Sequence, residues 1–315
     1  FIQSLTGALG SDVELLGEIY DGRAHVLAER WQQTGVKSAF DFPSHFALLN
    51  SICNDEPMQA LASVLALDRL YQRPEDLLTF VDNHDLPRLL SQCHGDQRRA
   101  HLALTVLFAL RGTPVITYGT ESGLSGKGEP DNRADMIFDP DHPTFNHLRN
   151  LVAQRAARPL LATGKTEVVL ATAEQLHLLR YDAQGALLVV INKSVRTQAV
   201  TPNQLPAGTR FALRRNRSDV AGQSVAIIDL AVSDRSSFQA WLDARHTSRS
   251  IRLVTKKSDG RIVAVGSAPE LGSWEPLRAI EMKPQGDVLV GSVDLPAASV
   301  VAIKLARVSE SGIVW

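Results

Sequence analysis

Between residues 13 and 156 the chain alternates four short apolar runs with longer stretches of helical periodicity, the pattern of consecutive βα units around a parallel sheet. "VELLGEIY" (13–20) precedes the helical "RAHVLAERWQQ", and "VKSAFDF" (36–42) precedes a long helical stretch from about Ser44 to Tyr71. "LLTFVD" (77–82) precedes "RRAHLALTVLFALRG", where Gly112 reads as a helix stop, and "PVITYG" (114–119) precedes a Gly-rich loop and "HPTFNHLRNLVAQRAA". Each run ends in polar groups: Glu18 with Asp21, Asp41, Asp82 with His84 and Asp85, and Glu121. A (β/α)8 barrel carries its chemistry on the loops after its strands, so these endings favour four units of such a barrel over a four-stranded open sheet. Half a barrel leaves two strand edges unpaired, and bare edges are avoided in water, so that side needs covering.

After about residue 164 the period changes. "TEVVLAT", "LHLLRYD", "ALLVVIN", "TRFALRR" and "SVAIIDLAV" alternate with turn residues, as in a small antiparallel β-sandwich. A polar stretch, 233–249, then leads to "SIRLVTK", "RIVAVGS", "VLVGSVDL" and "SVVAIKLARV", a second sandwich. The expected domains are therefore 1–160, half of a (β/α)8 barrel; 161–232, a β-sandwich; 233–249, a linker; and 250–315, a second β-sandwich. The fold class is α/β plus all-β.

Composition narrows the partners. The 315 residues hold 33 basic and 34 acidic side chains, a formal net charge of −1, interspersed without long runs of one sign. This gives no electrostatic case for nucleic acid or a membrane surface. No apolar stretch reaches the roughly 20 residues that span a bilayer, and the opening "FIQSLTGALG" has no basic leader. Cys53 and Cys93 are the two cysteines. They exclude a disulfide framework and a Cys-rich metal site, and are read as two packed free thiols, with pairing left open.

Glu18 and Asp85 end the first and third runs, where side chains on a barrel rim can converge. Two carboxylates flanking a bond are the equipment of glycoside hydrolysis: one protonates the leaving oxygen while another stabilises or attacks the oxocarbenium-like centre. His84 can hydrogen-bond a sugar hydroxyl.

The motifs add a resemblance. "FVDNHD" (80–85) resembles the fourth conserved region of glycoside hydrolase family 13, the α-amylase family, and "LLGEIYDG" (15–22) resembles the third. "GTPVITYGTESG" (112–123) is similar to the eighth-strand motif, and "GKGEPDNRADM" (126–136) to the loop that follows it. The resemblance covers about residues 1–160. It implies Glu18 as general acid/base, Asp85 as transition-state stabiliser, His84 as a sugar contact in the −1 subsite, and Arg133 as support for the loop or sugar site. It also implies α-1,4-glucan substrates, starch and maltooligosaccharides, a calcium ion and secretion.

The family's nucleophile, an Asp in G-F-R-x-D at the fourth barrel strand, has no counterpart, nor does the first region, D-x-x-x-N-H. In "NRADM", Arg133 and Asp135 have the mutual spacing but follow the last strand. The chain thus resembles the back half of the barrel, beginning inside the fourth helix. Its active form is expected to need the N-terminal half, from the same polypeptide or a separate chain, and the chain alone is expected to be inactive. Calcium ligands belong mostly to that half, and none is assigned here.

"VAVGSAPELGSWEPLRAIEM" (263–282), "LPAASVVAIKLA" and "SGIVW" resemble a starch-binding module of carbohydrate-binding family 20. The resemblance implies a sugar site of Trp274, Lys304 and Trp315: indole faces stack on glucose rings and the lysine donates to hydroxyls. The module's second site relies on tyrosines, and residues 250–300 contain none. The module is also expected to be clipped at Trp315. Cyclodextrin glucanotransferases share the "EPDNR"-like loop but carry an extra domain for which 233–249 leaves no room. The favoured reading is an endo-acting hydrolysing α-amylase; a transglycosylase and a non-catalytic starch-binding protein are the alternatives.

Overall fold

The computed structural model describes residues 2–9, 13–212, 217–297, 299–309 and 312–315. Residues 213–215 of the expected strand "TRFALRR", and 298 and 311 of the quoted motifs, lie outside that set. The chain divides into two compact units, Phe1–Asp234 and Arg235–Trp315.

In the first unit, helix α1 (Ile2–Leu9) is followed by β1 (Leu16–Gly17), α2 (Ala24–Thr34), β2 (Ser38–Ala39), α3 (Phe42–Cys53) and α4 (Gln59–Leu65). Then come β3 (Leu78–Phe80), α5 (Leu89–Gln92), α6 (Gln97–Ala109), β4 (Thr113–Val115), α7 (Pro143–Ala156) and α8 (Leu160–Thr163). β1 pairs in parallel with β2 and β3 with β4, and a parallel bridge from Phe40 to Leu78 joins the pairs, giving the order β1-β2-β3-β4. This is the expected run of βα units, open at both edges among the described residues.

The strands are two or three residues long, much shorter than the apolar runs. The ends of those runs turn away into other work. Asp41, expected as an open strand-end acid, is fully buried: it caps α3 by accepting from the Ser44 backbone N–H at 3.0 Å, and Arg111 pairs with it and with Asp68. The helical stretch expected from Ser44 to Tyr71 breaks after Cys53, where Asp55 takes φ 60° and Pro57 follows. Gly112 turns the chain into β4 two residues after the C-cap of α6; its φ is 83° and a Cβ there would meet the Leu77 carbonyl oxygen at 2.4 Å. Only glycine fits such a turn without strain.

The reading of Cys53 and Cys93 as free thiols is corrected. They form a disulfide that ties the end of α3 to the turn between α5 and α6. Both are fully buried.

The unit continues as β5 (Lys165–Ala171), β6 (Gln175–Tyr181), β7 (Ala186–Asn192), β8 (Gln198–Val200), β9 (Thr209–Phe211), β10 (Ser218–Val220) and β11 (Ser224–Val232). They form a five-stranded antiparallel sheet, β5-β6-β7-β11-β9, and a two-stranded one, β10-β8. β7 is buried along its whole length, so it is covered on both faces. Hydrogen bonds join this sheet region to the helices: Met58 N–H donates to Ala173 O at 3.1 Å, and Lys193 Nζ to Ser51 O at 3.0 Å.

In the second unit the stretch expected as a linker, 233–249, is largely helix α9 (Arg235–His246), which buries Phe238 and Leu242 one turn apart and leads straight into β12 (Ser248–Lys256). There follow β13 (Arg261–Gly266), β14 (Ile280–Glu281), β15 (Lys283–Gln285), β16 (Val288–Pro296), β17 (Ile303–Ser309) and β18 (Gly312–Val314). Two antiparallel sheets result, β12-β16-β15 and β14-β13-β17-β18. Ile262, Ala264, Met282 and Leu289 fill the space between them, with Leu253 and Ile280 packed against that cluster.

Candidate functional site

All four parallel strands point their C-terminal ends to one side, and the sequence-singled residues of the first unit sit there. Glu18 directly follows β1, is exposed, and makes no hydrogen bond or ion pair with any described residue. His84 and Asp85 lie in the loop after β3, with side chains 58% and 50% exposed. All three side chains are therefore accessible to solvent.

The loop that carries them is not loose. Asp85 Oδ1 accepts from Arg133 at 2.7 Å, its Oδ2 lies 3.4 Å from His84 Nε2, and its backbone N–H donates to Asn83 Oδ1 at 2.9 Å. Arg133 Nε donates to the His84 carbonyl at 3.0 Å, and its guanidinium also pairs with Glu129 at 2.6 Å. The neighbouring Asn132, 1% exposed, donates to the carbonyls of His84 at 3.0 Å and Leu86 at 3.2 Å. Residues 129–133 thus clamp the backbone on both sides of Asp85 and hold its carboxylate in one orientation. Charge-assisted bonds of this kind are among the strongest available.

Beneath the clamp, Asp82, expected with His84 and Asp85 as an open strand-end group, is instead buried in an ionic pair with Arg88, which the sequence reading did not single out. Asp82 and Arg88 are 1% and 0% exposed, with Arg88 Nε 3.4 Å from Asp82 Oδ2. Asp82 also accepts from Thr120 Oγ1 at 2.8 Å and the Leu89 N–H at 2.9 Å, while Arg88 donates to the Tyr118 carbonyl and to Thr120 Oγ1 at 3.3 Å. The Thr117 hydroxyl donates to the Asp82 carbonyl at 2.9 Å. Burial pushes the Asp82 carboxyl up from the ordinary carboxylate range, against the pull of Arg88. The pair fastens the loop after β3 to the loop after β4. The usable signal was "FVDNHDLPR" itself, with a second acid three residues before Asp85 and an arginine three after.

Behind the loop, Phe42, Phe80 and Leu86 pack with Phe40, Phe46 and Val115. His45 stacks on Phe80 at 4.5 Å between ring centroids, its Nδ1 3.3 Å from the Phe80 carbonyl. Burial pushes its pKa down to about 4, so it is a neutral packing group. Among the described residues no cluster of three His, Cys, Asp or Glu has the placement of a metal site.

In the second unit, Trp274 is half-buried in the turn after β13, at φ 67°, with its N–H donating to Gly266 O at 2.8 Å. Lys304 is exposed on β17, directly opposite Val265. Trp315, 59% exposed, follows Val314, which pairs with Arg307 of β17. Trp274 thus follows β13, Lys304 lies on β17 and Trp315 follows β18, and these three strands are neighbours in one sheet.

Acids at the C-terminal ends of parallel strands, together with one half-buried and one exposed indole on a separate β-sandwich, fit a carbohydrate-active protein of the glycosidase type. Residues 2–158 match the family of α-amylase catalytic domains and residues 250–315 that of starch-binding domains. The chain belongs to the α-amylase family and carries a starch-binding domain. It is 33% identical over 213 residues to a cyclomaltodextrin glucanotransferase of Bacillus licheniformis, covering 64% of this chain and 30% of that enzyme. It is 26% identical over 197 residues to a cyclomaltodextrinase of Geobacillus thermopakistaniensis, covering 59% of this chain and 33% of the relative. Among solved structures, an Anoxybacillus α-amylase superposes with a TM-score of 0.64 at 27% identity, over 73% of this chain and 54% of that one. The chain thus spans about a third of these curated relatives and about half of the solved amylase.

Proposed function

We propose that this chain supplies the acid/base half of a retaining active site that cleaves α-1,4-glucosidic bonds of starch and maltooligosaccharides from within the polymer. Glu18 protonates the leaving oxygen as the bond breaks and then takes the proton from the attacking water. Asp85, held by Arg133 beside His84, stabilises the positive charge that develops at the sugar carbon, and His84 binds a hydroxyl of the same ring. The observation that carries this reading is the immobilised, solvent-facing Asp85 carboxylate on the same side of the sheet as the unpartnered Glu18 carboxylate.

A retaining mechanism needs a nucleophile about 5 Å from the acid/base. No G-F-R-x-D occurs in the sequence, so the nucleophile comes from an N-terminal barrel half that pairs along β1, on the same polypeptide or a partner chain. Val13, Leu16 and Tyr20 beside that edge are 48%, 55% and 65% exposed, which supports a covering partner there. The chain alone does not hydrolyse starch. Calcium in the complete enzyme is bound mostly by that half. The buried Cys53–Cys93 disulfide supports secretion. Trp274, Lys304 and Trp315 hold the enzyme on raw starch.

The second reading is transfer rather than hydrolysis, favoured by the cyclomaltodextrin glucanotransferase among the relatives. Chromatography of the products from starch separates the two. The completed enzyme is expected to release linear maltooligosaccharides, and a predominance of cyclic products would replace hydrolysis with transfer. Intact mass under denaturing, reducing conditions locates the other half: a species well above 34.3 kDa puts it on the same polypeptide, and a second chain of different mass puts it in a partner.

A further inference from the structure

At the opposite end of the parallel sheet from Glu18 and Asp85, the C-terminal turn of α2 and the chain at 70–76 enclose a groove of about 320 Å3. That volume is in the range of about 300–1,000 Å3 that accommodates small ligands. Trp31 is half-buried along it, and its indole is fixed because Nε1 donates to Val36 O at 2.9 Å. Tyr71, 7% exposed, stands behind with its ring centroid 6.0 Å away. Gln32 and Gln72 flank these rings; both are exposed, and neither makes a hydrogen bond with any described residue.

The charges along the groove are already matched. Lys37 pairs with Glu14, and Arg73 Nε pairs with Asp76 at 2.8 Å. An anionic ligand would have to displace an existing carboxylate from either cation. A neutral ligand meets a fixed indole and two amides that each offer a donor and an acceptor. A flat apolar face bordered by hydroxyls is the shape that fits: the C–H face lies on the indole, and the hydroxyls bond the amides.

We propose that this groove is an auxiliary site for a short α-glucan segment, separate from both the acid-bearing loops and the starch-binding domain. The identity of the ligand as glucan rests on the starch reading above. A second foothold on the body of the first unit would let one polymer chain engage the protein twice, raising retention through effective concentration.

Affinity electrophoresis in gels containing amylopectin tests this. In a Trp274→Ala/Trp315→Ala background, retardation is expected to persist, and adding Gln32→Ala and Gln72→Ala is expected to raise the dissociation constant at least fivefold. Adding Trp31→Phe instead should retain most of the retardation, because a flat ring remains. A background variant that migrates as in plain gel would overturn the groove while leaving the starch-binding domain intact as a binder. Persistent retardation indifferent to the two glutamines would also overturn it. An unsubstituted chain that is not retarded at all would remove the groove and the starch reading together.

Discussion

The loop that carries Asp85 and the turn that carries Trp274 both hold candidate sugar-contacting groups, yet they are held in opposite ways. The first is fastened from below by the buried Asp82–Arg88 pair and from the side by Asn132 and Arg133, which bind backbone carbonyls on both sides of the acid. The second fixes the Trp274 backbone by one bond to Gly266, while Lys304 on β17 and Trp315 after β18 are exposed. Bond cleavage requires charge placed where it develops in the transition state, and small misplacements are costly. Holding a polymer requires flat surface at roughly the right spacing, and ring stacking tolerates sliding.

That contrast can be broken at four points. The largest effect is expected from Glu18→Gln in the completed enzyme, which should lower kcat by about 10²–10⁴, the usual worth of general acid/base catalysis, with little change in starch adsorption. Retained turnover in a steady-state assay would take Glu18 out of the role.

Arg88→Ala should cost about 3–5 kcal/mol of stability, because it strands a buried carboxylate. A urea unfolding curve indistinguishable from the parent's would show that the pair is not what fastens the loop.

Acidification comes next. Burial pushes both His45 and His177 down to about 4, whereas a histidine in the unfolded chain titrates near 6.5. Between those values the unfolded state binds more protons, so stability falls as pH falls from about 6.5 to about 4 and levels off below. Each residue contributes on the order of 3 kcal/mol to that fall. His177 sits in β6 with neither ring nitrogen bonded, so His177→Leu should flatten the pH dependence of the urea midpoint. An unaltered slope would sink the assignment.

The smallest effect is the one that sharpens the comparison most. Trp274→Ala should weaken adsorption to granular starch about 30-fold, the loss of about 2 kcal/mol typical of a truncated anchoring tryptophan. Turnover of short soluble maltooligosaccharides should be unaltered. Equal loss on both substrates would contradict the division of labour.

The sequence made the succession of elements legible because periodicity is local. The alternation of apolar runs and helices, the switch to strands after Gly164 and the two β-rich regions are all present in the structure. What it hid is long-range. Asn132 reaches His84 across 48 residues and Arg111 reaches Asp41 across 70. No local pattern marks such partners, so Asp41 looked like a strand-end acid of the same kind as Asp85. Helix α9 escaped notice because its two buried side chains, Phe238 and Leu242, are outnumbered by polar neighbours. Cys53 and Cys93, 40 residues apart, carry no signal of pairing until the end of α3 and the turn after α5 are placed side by side.

That disulfide closes a covalent ring around residues 54–92, and the ring contains β3, Asp82, His84 and Asp85. A protease that nicks the backbone inside it leaves one molecule: the fragments stay joined and run as a single band until reductant is added. The acid at position 85 therefore stays attached to the rest of the protein after the peptide chain has been cut.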